Sequence, residues 1–259
     1  MDNGLVTLEQ RDNFSVVTLN RPERRNAINH ALRVELVKKL RLANEDEATK
    51  GVILTGAGGH FCGGGDLTGM DDRDVASVHA RMQMVAEVVT LIRQSRKPYV
   101  AAIEGSAFGA GLSIPLLCDQ IVASTSARFC AVFVRAGLTP DYGMMHLLPR
   151  RVGDGVARRM MMTGCDVTAE DALRFGLIDE LVPEGTAMDA ALTCAQAFTA
   201  HAPLAVQLMK SLLGDQRSTK LETTLRAESD LQSQLFQTHD FSEVISAFKE
   251  RREPAFRGK

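Results

Sequence analysis

The sequence predicts an α/β fold, on three observations. Short β-branched runs bounded by turn residues recur through the first half of the chain. Amphipathic helical patterns separate them. The runs are continuously apolar rather than alternating, as expected of strands covered on both faces.

The first strand is Ser15-Val16-Val17-Thr18-Leu19, the second Gly51-Val52-Ile53-Leu54-Thr55 and the third Tyr99-Val100-Ala101-Ala102-Ile103. Between the first two, Leu32, Leu36, Val37 and Leu40 repeat at helical spacing and predict a helix from about Asn29 to Ala43. A longer helix is expected from about Val75 to Gln94, and another from Gly109-Ala110-Gly111 through Leu116. Beyond about residue 140 the strand signal fades. Thr168-Ala169-Glu170-Asp171 resembles a capping box and opens a short helix that stops near Gly176. Amphipathic patterns then run from about Thr186 to Thr199, Pro203 to Leu213, Leu221 to Gln237 and Asp240 to Arg252. Such a tail cannot bury its apolar faces alone. It divides the chain into a core over 1–197 and a helical oligomerisation region over 198–259.

Bulk properties exclude several classes of function. The 259 residues are 45% hydrophobic and 24% charged, with net charge −2, so no global field attracts nucleic acid or an anionic membrane. Five cysteines (Cys62, Cys118, Cys130, Cys165, Cys194) form no CxxC pair, which argues against a zinc site and a disulfide framework and for free thiols in a reducing compartment. The opening Met1-Asp2-Asn3-Gly4 is acidic and lacks a signal-type apolar stretch, and no apolar run reads as long enough to span a bilayer. A cytoplasmic protein is expected.

Two glycine-rich turns, each after an apolar strand, are the strongest functional signal. One is Gly58-Gly59-His60-Phe61-Cys62-Gly63-Gly64-Gly65-Asp66-Leu67, the other Glu104-Gly105-Ser106-Ala107-Phe108-Gly109-Ala110-Gly111. Glycine lets a ligand approach the main chain closely. Brought together, two such turns would present free backbone N–H groups, which is what an oxyanion hole requires. Arg21, Arg24 and Arg25 form a local basic cluster suited to an anionic small ligand, and could equally be a solvated loop.

These turns belong to a longer ordered set. Asn20-Arg21-Pro22 with Asn26-Ala27-Ile28-Asn29, then Phe61-Cys62-Gly63-Gly64-Gly65-Asp66-Leu67, then Lys97-Pro98-Tyr99 through Glu104-Gly105, then Cys118-Asp119, resemble the crotonase (enoyl-CoA hydratase/isomerase) superfamily. The likeness runs nearly end to end, through the closing Phe248–Phe256 segment. It implies a crotonase-like spiral core of ββα turns, a C-terminal helical trimerisation region giving a homotrimer or a dimer of trimers, and an acyl-CoA thioester as ligand. It implies no cofactor other than the coenzyme A of the substrate, and no metal.

Carried over by position, the two oxyanion-hole donors fall on the backbone N–H groups of Gly65 and Ala110. Ala110 opens a helix, where N–H groups are unpaired and the dipole favours negative charge. The resemblance turns Arg21, Arg24 and Arg25 toward the CoA phosphates and lines the adenine and pantetheine path with backbone at Ala27, Gly63 and Gly65, beside Leu67. Lys249 would reach CoA across a subunit boundary. Asp66 is implied to be a local hydrogen-bonding and capping residue rather than a catalytic one, and Asp119 a structural carboxylate.

The departures decide the chemistry. The family's hydratases use two glutamates, and here Ser113 and Phe133 stand in their places. Adding water across a 2-enoyl thioester needs groups that position the water and move its protons, work suited to paired carboxylates. One acid remains in a suggestive place: Asp141, eight residues after Phe133, where some isomerases and dehalogenases of the family carry an aspartate. Pro140-Asp141 ahead of a helix also reads as an N-terminal cap. With both glutamates absent, catalysis is the preferred reading. A single carboxylate suits double-bond migration, shuttling a proton between C2 and C4 of an enoyl-CoA through a dienolate held in the hole, and an apolar setting would raise its pKa. His60, His146 and Tyr142 are weaker candidates. The expected function is therefore enoyl-CoA isomerase. The rivals are a hydratase with atypical acid/base residues, a hydrolase or dehalogenase with Asp141 as nucleophile, and a non-catalytic acyl-CoA-binding member of the family.

Overall fold

The computed structural model describes residues 4–69, 74–215, 234 and 237–259. Two sheets organise the core. The larger has six strands in the order β1 (Val6–Arg11), β2 (Phe14–Leu19), β3 (Gly51–Gly56), β4 (Tyr99–Ile103), β6 (Gln120–Ser124) and β9 (Glu180–Val182). β1 and β2 form an antiparallel pair and every later pairing is parallel. A second sheet joins β5 (Ser106–Phe108), β7 (Arg128–Cys130) and β8 (Asp166–Thr168).

Continuous apolar strands imply burial on both faces, and the register shows how. Val16 pairs with Ile53 and Ile53 with Val100. Together with Ala102 and Val122 they form one buried face, under Ala187, Ala191 and Ala195 of α6 (Ala187–Thr199). Their neighbours Val17, Leu54, Ala101 and Ile121 point the other way, into the larger cluster with α1 (His30–Glu45) and α2 (Val75–Arg93). A slip of one residue would exchange these two faces.

The helices begin where their caps dictate. The Asn29 side chain accepts from Leu32 N at 2.8 Å and opens α1. Asp74 caps α2, and Thr168 accepts from Asp171 N to open α5 (Ala169–Phe175). Loss of such a cap costs about 1 kcal/mol. The helix expected through Leu116 is shorter: α3 covers Ala110–Ser113, and Pro115, which has no N–H to continue it, starts a tighter turn over Pro115–Leu117.

The strand signal did not end at residue 140. β8 and β9 lie beyond it, three residues each, too short to show a period. Between the strands, α4 (Met144–Thr163) is broken by a non-helical Gly153. α7 (Pro203–Asp215) is fastened to the core by Lys210, whose Nζ sits 2.8 Å from the Asp119 carboxylate and over the Tyr99 ring. α8 (His239–Glu250) follows. The helix expected over 221–237 falls almost wholly outside the described residues.

One expectation about membranes needs correcting. By length and composition alone α2 could cross a bilayer, with a mean hydropathy of 1.2 over its most apolar window. It carries Arg81 and Glu87, buries Val85, Val88 and Ile92 against the core, and Glu87 accepts a hydrogen bond from Arg41 of α1.

Candidate active site

The two glycine turns are bonded to each other. Phe61 N donates to Glu104 O, Cys62 N to Ser106 O and Phe108 N to Cys62 O, at 2.8–2.9 Å. Such closeness needs absent side chains. A Cβ on Gly64, whose φ is +101°, would stand 2.9 Å from Phe108 O, and one on Gly111 would stand 2.3 Å from Cys62 O. His60 also joins the turns, its Nδ1 facing Ser106 N at 3.2 Å, a structural rather than a catalytic placement.

The same pairing leaves two N–H groups over. Ile28 bridges to Gly65 in parallel fashion: Ile28 N donates to Gly64 O and Asp66 N to Ile28 O. In that pattern the flanking residues make the bonds, so Gly65 keeps its own N–H. Ala110 is the first residue of α3, where amide groups have no partner within the helix. Neither N–H has a hydrogen-bond partner among the described residues.

Asp141 lies in the loop ahead of α4. Its Oδ1 is the one buried side-chain oxygen or nitrogen without a hydrogen-bond partner among the described residues. Burial lifts its pKa to about 6, against the opposing pull of the Arg33 charge and its own backbone N–H. The capping alternative fails: the N-cap of α4 is Gly143, in the left-handed region, and no side chain caps that end. The next residue, Tyr142, is 2% exposed and has φ +48°, unusual for so bulky a side chain.

The positions implied for the hydratase glutamates are both apolar surroundings. Ser113 is fully buried on α3 and its Oγ donates to Gly109 O at 3.3 Å, leaving no free hydroxyl to orient a ligand. Phe133 sits in a short turn over Val132–Ala136, buried, its ring tip 3.9 Å from where a Cβ on Gly109 would stand. Phe133, Tyr142, Cys62 and Ala110 all belong to the main hydrophobic core, and the Tyr142 phenol lies near enough to the Cys62 thiol of the first glycine turn for their charges to interact.

Farther out, the Arg21 guanidinium, expected with Arg24 and Arg25 at the CoA phosphates, is instead engaged within the protein. It donates to the Asp66 carboxylate at 2.5 Å and to Ala27 O at 3.1 Å. Thr68 Oγ1 also donates to Asp66, and the two together hold that carboxyl at a pKa of about 2. Arg24 and Arg25 remain exposed beside Gly63, whose N–H donates to Arg25 O. Leu67 is 62% exposed at the rim, and Lys249 is exposed near the end of α8. A cavity of about 530 Å³ between α4, α6 and α7 contains none of these residues; exposed His146 lines it with Arg93 and Arg150. No group of three His, Cys, Asp or Glu among the described residues could hold a metal ion.

Sequence reasoning missed Arg33. It is 5% exposed on α1, and its Nε donates to Tyr142 Oη at 3.3 Å. The signal was present: Arg33 is spaced three and seven residues from Leu36 and Leu40 on the apolar face, where a cation is out of place.

Comparison with known proteins follows the same lines. The family model for enoyl-CoA hydratase/isomerase matches residues 9–259. The 2,3-dehydroadipyl-CoA hydratase of Escherichia coli K12 is 35% identical over the full length of both chains. The 1,2-epoxyphenylacetyl-CoA isomerase of the same organism is 33% identical, covering 100% of this chain and 97% of that one. The crystal structure of an enoyl-CoA hydratase from Bacillus anthracis superposes with a TM-score of 0.92 at 30% identity, over 98% of this chain and 99% of the other.

Proposed function

The chain belongs to the enoyl-CoA hydratase/isomerase family, and we propose that, within this family of acyl-CoA-processing enzymes, it is an isomerase whose proton shuttle is Asp141. The observation that carries this reading is the buried, unpartnered Oδ1 of Asp141, with serine and phenylalanine where the family's hydratases place their two glutamates.

In this reading the thioester oxygen accepts from the N–H groups of Gly65 and Ala110. Asp141 takes a proton from C2 of a 3-enoyl-CoA, and the electron pair flows into the carbonyl to give a dienolate held by the two donors. The same carboxyl group then returns the proton to C4, the double bond settles between C2 and C3, and the carbonyl re-forms. No water and no second base take part. A carboxylate with a pKa of about 6 is ionised at neutral pH yet a stronger base than an exposed aspartate. Phe133 and Tyr142 keep the carboxyl in apolar surroundings. Arg24 and Arg25 meet the CoA phosphates, Ala27, Gly63 and Leu67 border the path of the cofactor arm, and Lys249 approaches it from a neighbouring subunit. The region 198–259 mediates assembly into a trimer or a dimer of trimers, supported by exposed Met209, Leu213, Val244 and Ile245.

The names of several relatives favour a second reading, hydration of a 2-enoyl-CoA. Product analysis by mass separates the two, with 3-enoyl-CoA and 2-enoyl-CoA each supplied in D₂O. Conversion of the 3-enoyl to the 2-enoyl ester without a hydroxyacyl product supports isomerisation. Rapid 3-hydroxyacyl-CoA formation from the 2-enoyl ester would establish the hydratase instead. Tight binding of CoA esters without turnover of either would favour a binding protein.

A further inference from the structure

A buried arginine is unfavourable unless its charge is answered. Arg33 forms no ion pair among the described residues, and its one side-chain hydrogen bond there goes to Tyr142 Oη. Tyr142 holds a left-handed backbone at φ +48°, followed by Gly143 at φ +78°. Such a conformation is strained in a large residue and persists only when its surroundings hold it. Two things hold it here: burial of the ring and the guanidinium on its hydroxyl. The turn so held is the one that presents Asp141, whose Oδ1 has no partner.

We propose that Arg33 is a positioning residue for the Asp141 shuttle: through Tyr142 Oη it locks the strained 141–143 turn, and its charge, set back from the carboxylate, keeps Asp141 ionised with a free oxygen. This rests on the assignment of Asp141 as the shuttle. A direct salt bridge would occupy the oxygen that must receive the proton and would lower its pKa by about 1–3 units. A set-back cation supplies the field without the hydrogen bond. The other groups near the turn are neutral: burial pushes the Tyr142 phenol and the Cys62 thiol to about 12. The pKa of His146, farther along α4, is lowered by desolvation first and then by Arg150 and Arg93.

The test compares Arg33→Met, Arg33→Lys, Tyr142→Phe and Asp141→Asn by the pH profile of kcat/KM and the separate kcat and KM for isomerisation. Arg33→Met should move the acid limb up by ~1 pH unit and lower kcat more than it raises KM. Arg33→Lys should return the limb toward that of the unsubstituted enzyme. Tyr142→Phe should lower kcat with the limb in place. An unmoved limb in Arg33→Met, or full kcat in Tyr142→Phe, overturns the inference. If Arg33→Met does not fold, Arg33→Gln, which is neutral and keeps a polar tip, must show the shifted limb. Turnover surviving in Asp141→Asn would remove the shuttle itself and this inference with it. Turnover lost there with an unmoved Arg33→Met limb overturns the Arg33 role alone.

Discussion

Replacing Asp141 by asparagine should make the folded protein more stable at high pH while abolishing turnover. The carboxyl is held at a pKa of about 6 against an ordinary 3.8, burial being the larger cause. Below pH 3.8 the group is protonated in both the folded and the unfolded chain, and its shift has no effect on stability. Between 3.8 and 6 the unfolded chain ionises first, so folding is progressively disfavoured. Above 6 the penalty is complete, about two pH units at 1.36 kcal/mol each, or roughly 3 kcal/mol before allowing for partial exposure. Asparagine never ionises. The attraction of Arg33 for the ionised carboxylate is already contained in the net shift, so the slope with pH is the readout. For a chain of this length ~1 kcal/mol moves Tm by ~2 °C, so the variant should gain ~4–6 °C on the unsubstituted protein between pH 4 and pH 8. Thermal unfolding by circular dichroism at fixed protein concentration measures it, alongside turnover and CoA-ester affinity. A stability difference that stays flat from pH 4 to pH 8 would refute desolvation of Asp141. Unimpaired turnover would refute its role in the chemistry.

Because the base must be ionised to act, kcat/KM for isomerisation should fall as pH drops through about 6, and a profile flat to pH 5 would count against Asp141. Ala110→Pro removes one of the two free N–H groups at the first position of α3, where proline is tolerated, and should lower kcat by roughly 10²–10³ with the fold intact by circular dichroism. Asp66 has its carboxyl held near 2 by Thr68 and Arg21. That depressed value contributes stability above about pH 4 and loses it as pH falls toward 2. Asp66→Asn should therefore destabilise at pH 7 and progressively less in acid, as urea titrations at several pH values would show.

The legible parts of this molecule were those whose cause lies within a few residues. β2, β3 and β4 announce themselves as continuous apolar runs, and α1 by its Asn29 cap and its Leu32, Leu36, Leu40 spacing. The three-residue strands β5, β7 and β8 are too short to carry a period; pairing with each other makes them strands. β1 ends in Glu9, Gln10 and Arg11, all exposed or half-exposed, so composition hides it and only its register with β2 makes it a strand. The helical pattern of α4 is obscured by Pro149, Gly153 and Gly155.

The candidate site divides in the same way. Glycine where a Cβ would strike a neighbouring carbonyl is a local requirement, and both turns were visible. What raises the Asp141 pKa is not local. Its carboxyl is buried by the folded chain around it, and the opposing charge comes from a guanidinium contributed by α1, 109 residues before the tyrosine it bonds. A sequence shows that an aspartate follows a proline ahead of a helix. The folded chain shows that the helix is capped by Gly143 instead, which frees the carboxylate from that duty and leaves its Oδ1 without a hydrogen bond. A carboxylate oxygen buried without a partner is a standing cost to the fold, and proton transfer at that oxygen is the use that would account for keeping it.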